Sequence, residues 1–110
     1  MKDTMAAPVL ACNLASMSTA QRERHKELLT RLRGAVAEMR GIAGGYGFRF
    51  APSPELFMAA AEFITLESLC CPFFSFSLEM SAADEAVWLR VTGPEETGEI
   101  IKRALGSNSR

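Results

Sequence analysis

A chain of 110 residues with 48% apolar and 23% charged side chains has the makeup of one globular domain, which excludes a disordered or collagen-like chain. A formal net charge of −1 excludes a strong overall pull on nucleic acid or on an anionic membrane surface. No window reaches the roughly 20 apolar residues of a membrane span, and Asp3, Pro8 and Asn13 break the opening MKDTMAAPVLACNLAS, so neither a membrane anchor nor a signal peptide is expected.

The chain therefore reads as a cytoplasmic protein with reduced thiols, and three cysteines, an odd number, argue against a secreted disulfide framework. All of 1–110 forms one domain in this reading, with 1–7 and 107–110 frayed. Charge is uneven along it. Residues 1–41 hold seven Lys/Arg against four acids, and residues 42–110 hold five against nine.

The apolar run 9–14 predicts a first strand. Ser18 and Gln21 then form a capping box, in which the hydroxyl takes an orphan amide and the side-chain amide reaches back. Leu28, Leu29, Leu32, Val36 and Met39 recur at helical spacing and predict a helix to about residue 40. Gly41, Gly44 and Gly45 end it. Tyr46-Gly47-Phe48-Arg49-Phe50 alternates and is aromatic, hence a second strand.

Ser53-Pro54-Glu55 opens a second helix: a hydroxyl N-cap, a proline in the first turn and an acid on the positive dipole end. Pro72 forces its end near Cys70, because proline disfavours helical dihedrals at Cys71 and cannot donate an amide. The segment 73–80 alternates with Phe74, Phe76, Leu78 and Met80 on one face and Ser75, Ser77 and Glu79 on the other. After a turn at 82–85, 86–91 returns antiparallel. Thr92-Gly93-Pro94-Glu95-Glu96 starts a last helix with Ile100, Ile101, Ala104 and Leu105 as its buried stripe. The expected fold is α/β (α+β): a two-layer sandwich of a four-stranded mixed sheet and three helices, in the order βαβαββα.

The string Leu66-Glu67, Cys70-Cys71-Pro72-Phe73-Phe74 and Phe76, followed by Trp88-Leu89-Arg90-Val91-Thr92-Gly93-Pro94-Glu95, resembles a group of small bacterial proteins of uncharacterised activity. These share a CCPF segment followed by a WLR-TGPE segment. The resemblance covers the C-terminal half and implies a shared fold and a shared thiol site. It implies no activity.

The vicinal cysteines carry the strongest chemical signal. Cys70 and Cys71 supply two soft ligands of the kind preferred by thiophilic metal ions, with Cys12 and Glu67 as further candidate ligands. Reactive thiolates usually sit at helix N-termini or beside cations. This pair ends a helix, where the dipole is negative and a bound cation would offset it. That placement favours binding of a metal ion or soft electrophile over catalysis.

Three alternatives stay open: inert packing of the cysteines as small hydrophobes, a thiol-redox enzyme, and a structural module forming a homodimer through a sheet edge or the Ser75 and Ser77 face. A thioredoxin-like Cys-x-x-Cys, a phosphate loop, a dinucleotide glycine motif and a nucleophile elbow are all missing. His25, the sole histidine, falls at the edge of the apolar stripe and reads as a surface-edge or partly buried side chain, a pair with Cys70 or Cys71 being the alternative. The basic helix carries Arg22, Arg24, Lys26, Arg31 and Arg33. Glu23 and Glu27 intersperse them without any aromatic, which reads as a solvated face and not a nucleic-acid surface.

Overall fold

The computed structural model describes residues 13–106. The expected fraying at 1–7 and 107–110, and positions 9–12 of the first expected strand, lie outside that range. Asn13 has no regular structure, and Leu14–Ser16 is a single 3-10 turn.

Helix α1, Thr19–Ala35, starts at the predicted capping box. The Gln21 amide donates to Ser18 Oγ at 3.1 Å, and the Ser18 amide donates to Gln21 Oε1 at 2.9 Å. It buries Leu28 and Leu32. It ends five residues before the position that helical spacing gave, because Glu38–Ile42 forms strand β1 and pairs with β2, Gly45–Phe50. Val36 and Met39 still pack on the core, but from outside the helix. Ala43 and Gly44 make the two-residue turn between the strands. Gly44 takes φ +83°, the left-handed region that a side chain resists.

Helix α2, Pro54–Cys70, is capped as expected, with the Leu56 amide donating to Ser53 Oγ at 3.1 Å. Strands β3, Ser75–Ser81, and β4, Ala86–Thr92, form the expected hairpin. A 3-10 turn, Glu95–Thr97, leads into helix α3, Gly98–Leu105.

The α+β class, the four strands and the three helices are as expected. The described elements run αββαββα, so one strand follows α1 where the sequence reading put it in front. The sheet itself is a correction. Its order is β1-β2-β4-β3 and every neighbouring pair is antiparallel, where a mixed sheet was expected. The β2-α2-β3 crossover leaves β2 and β3 running the same way, but β4 inserts between them and separates the parallel pair. The short β1–β2 turn makes the remaining contact antiparallel as well.

The helices cover one sheet face. Phe48, Phe50, Val87, Leu89 and Val91 from the sheet meet Leu28, Leu32, Ala60, Phe63, Ile101 and Leu105 from the helices. On the other face, Trp88 lies between the guanidinium groups of Arg40 and Arg90, 4.8 and 5.3 Å from the ring centroid. Its indole N–H donates to Asp84 Oδ2 at 3.0 Å. Arg90 also donates to Glu79, and Arg49 to Glu38. An otherwise open sheet face is thus covered by a stacked, charge-paired layer. Among the described residues no helix is long and apolar enough to cross a membrane.

Candidate functional site at the exit of helix α2

The C-terminal turn of α2 leaves carbonyls without helical partners. Three donors satisfy them: the Cys71 amide to Glu67 O at 2.7 Å, the Asn13 amide to Cys70 O at 2.7 Å, and Ser16 Oγ to Leu69 O at 2.5 Å. Cys71 takes a non-helical conformation, and the Phe74 amide closes the turn by donating to Cys71 O at 3.3 Å. Pro72 occupies the second position of that turn, where its fixed φ fits.

This turn brings Cys70 Sγ to 3.5 Å from Cys71 Sγ. Both residues are buried, at 2% and 0% exposure. Cys70 is a free thiol, whereas Cys71 is disulfide-bonded. Burial pushes the Cys70 thiol above its ordinary pKa, the Glu67 carboxylate raises it further, and the Asn13 amide opposes them. A bare thiolate is therefore disfavoured here. A cation would meet a negative field made by Glu67 and the helix end.

Glu67 faces away from solvent with a partner that sequence reasoning did not assign to it. Its Oε1 lies 2.5 Å from His25 Nε2, and both side chains are 13% exposed. His25 also stacks on Phe63, with centroids 5.3 Å apart and planes at 25°. The histidine that reads as a stripe-edge residue is thus part-buried, and its hydrogen-bond partner is a carboxylate. The signal was present in the spacing. His25 stands three residues before Leu28, Glu67 stands four after Phe63, and both fall on the buried stripes of packed helices.

Of the four predicted site residues, Cys70 and Cys71 come together, and Glu67 lies close enough to act on Cys70 electrostatically. Cys12 lies outside the described residues. Among the described residues no group of three or more His, Cys, Asp or Glu side chains is arranged to hold a metal ion. Glu67 also lines a small cavity of about 20 Å³ against Phe74, Phe76 and α3, large enough for about one water. A larger open groove of about 590 Å³ runs between α1 and α2, floored by Met58 and Ala59. Its lining includes neither cysteine, and Arg24 and Glu62 close on each other across it with two hydrogen bonds of 2.8 Å. The size of the groove does not make it the chemical site.

The segments 70–76 and 88–95 are neighbours in space. Ser75 pairs with Thr92, and a Cβ on Gly93 would fall 2.7 Å from Thr97 Oγ1 and 3.1 Å from the Phe74 ring. Buried Thr97 donates its hydroxyl to Pro94 O at 2.6 Å. The glycine lets the β4 exit close against Phe73 and Phe74, immediately after the cysteines. Comparison with known family models, curated proteins and solved structures finds no match to this chain.

Proposed function

We propose that the protein binds a thiophilic metal ion or a small soft electrophile through Cys70 and Cys71 when both are reduced. The observation that carries this reading is the 3.5 Å approach of the two sulfurs at the negative end of a helix. Two thiolates on a tetrahedral Zn(II), each at about 2.3 Å, stand about 3.8 Å apart, so only a small adjustment is needed. Linear coordination would need about 4.6 Å by the same bond length, which favours ions of higher coordination number.

The electrostatics support the same reading. Burial and Glu67 keep the Cys70 proton on in the absence of a cation. A bound cation replaces that proton and removes the penalty, so binding releases protons and weakens as pH falls. The same features disfavour nucleophilic catalysis, which needs an exposed thiolate of depressed pKa.

The test is a titration of fully reduced protein with Zn(II), Cu(I) and Hg(II), repeated with Cys70→Ser and Cys71→Ser. Loss of at least tenfold in affinity in each variant is the expected result. Equal affinity in all three proteins would remove the site.

A further inference from the structure

We infer that the outer edge of strand β3 is a self-association surface. On it, β3 of a second copy of this chain pairs antiparallel and joins two four-stranded sheets into one of eight strands. The inference is independent of the thiol site.

Among the described residues the sheet has two edge strands, β1 and β3. Every second residue of an edge strand turns its amide and carbonyl away from the sheet, and an unguarded edge of this kind recruits further strands. The two edges differ in their guards. β1 is five residues long and carries Glu38 and Arg40, which bond to each other at 2.9 Å, while Arg49 also donates to Glu38. β3 runs for seven residues in unbroken register with β4, from Ser75 opposite Thr92 to Ser81 opposite Ala86, so no bulge bends it away. It holds no proline, lysine or arginine. Its one charge, Glu79, is paired with Arg90 of the same chain at 2.9 Å.

The occupant follows from the pattern of the strand itself. Laid antiparallel on its copy with all seven residues overlapped, β3 turns about its central residue, Leu78. Leu78 then faces Leu78, Phe76 faces Met80, Ser77 faces Glu79 and Ser75 faces Ser81 of the second copy. Phe76 and Leu78 pack on the core from the helix side of the sheet, and Met80, on the same side, is 49% exposed. The pairing sets that exposed thioether beside an aromatic ring, a cross-strand contact that favours association. On the other side each Glu79 carboxylate meets a hydroxyl, and no like charges are directly opposed. β1 fails the same comparison. Reversed on its copy about its central residue, it sets Arg40 against Arg40, and directly opposed like charges destabilise a strand pair. β3 is complementary to itself, and β1 is not.

Size exclusion with light scattering, on reduced protein loaded over two decades of concentration, tests the surface without counting disulfide-linked copies. The mass should rise with loading from one chain to two. In Ser77→Glu, carboxylates become directly opposed twice across the edge, and dimerisation should weaken at least tenfold. The double variant Ser77→Glu, Glu79→Ser should dimerise like wild type, because each carboxylate again faces a hydroxyl and position 77 lies opposite Arg90 within the chain. A single-chain mass at every loading overturns the inference. So does a dimer that Ser77→Glu leaves intact or that the double variant fails to restore. Hydrogen exchange on the wild type keeps the test free of how the variants fold: amides of 75–81 should exchange more slowly as concentration rises. Exchange there that is independent of concentration overturns the β3 edge.

Discussion

His25 of α1 and Glu67 of α2 meet Nε2 to Oε1 at 2.5 Å, three residues before the first of the paired cysteines. The contact ties the two helices together, and the same Glu67 carboxylate is one of the two causes that raise the pKa of Cys70. Structure and thiol chemistry are coupled at this point.

Replacing Glu67 by Gln should therefore do two things. Stability should fall by about 1–3 kcal/mol as a part-buried hydrogen bond to His25 loses its charged acceptor. Alkylation of Cys70 at a fixed alkaline pH in reduced protein should become faster, since one of the two raising influences is gone. Urea denaturation and thiol-labelling rates measure these separately. A double-mutant cycle with His25→Asn should return a coupling energy above about 0.5 kcal/mol.

The raised thiol also fixes the sign of a pH dependence. The native state holds the Cys70 proton to higher pH than the unfolded chain, whose thiol titrates near the ordinary value of 9.0. Native protein then binds more protons than unfolded protein above that value, so stability falls as pH rises. The contribution is complete below the unfolded pKa and disappears as pH passes through the folded one. Thermal denaturation between pH 8 and 10.5 on reduced protein should show this decline, and Cys70→Ala should flatten it.

Trp88 is the single tryptophan and lies between Arg40 and Arg90 on the sheet face away from the helices. Trp88→Ala should cost about 3–5 kcal/mol, since the ring is 3% exposed and its loss opens that layer. Arg40→Ala, which removes one of the two stacked cations, should cost about 0.5–1 kcal/mol. Circular dichroism during urea unfolding reads both variants without relying on the indole.

Gly93 is the place where the exit of β4 closes on Phe73 and Phe74. Gly93→Ala should destabilise by about 1–3 kcal/mol, because Thr97 Oγ1 and the Phe74 ring occupy the space its Cβ needs. Gly34→Ala, where nothing lies within 4 Å, should leave stability unchanged or raise it by up to about 1 kcal/mol. Comparing the two by chemical denaturation separates close approach from helix propensity.

Much of this architecture is legible locally. Ser18 with Gln21 and Ser53 with Pro54 mark the helix starts because capping chemistry needs only neighbouring residues. The break at Cys70-Cys71-Pro72 is equally local. Strand β1 is harder to read, since Val36 and Met39 continue the Leu28 and Leu32 spacing as well as they fit an extended segment. What decides it is pairing with β2, including Arg49 donating to Glu38 at 2.9 Å, and that contact spans eleven residues. Sheet order is harder still, because nothing in the sequence announces that β4 inserts between β2 and β3. At the site, the cysteine pair is visible as adjacent letters. The His25–Glu67 contact joins residues 42 apart and follows only once α1 lies on α2.

The central claim is that Cys70 and Cys71 share one guest. X-ray absorption at the zinc edge, on reduced protein loaded with one equivalent of Zn(II), tests it most directly. The account predicts a shell containing two sulfurs at about 2.3 Å, reduced to one in Cys70→Ser. A shell of nitrogen and oxygen alone at about 2.0–2.1 Å, unchanged in that variant, would contradict it.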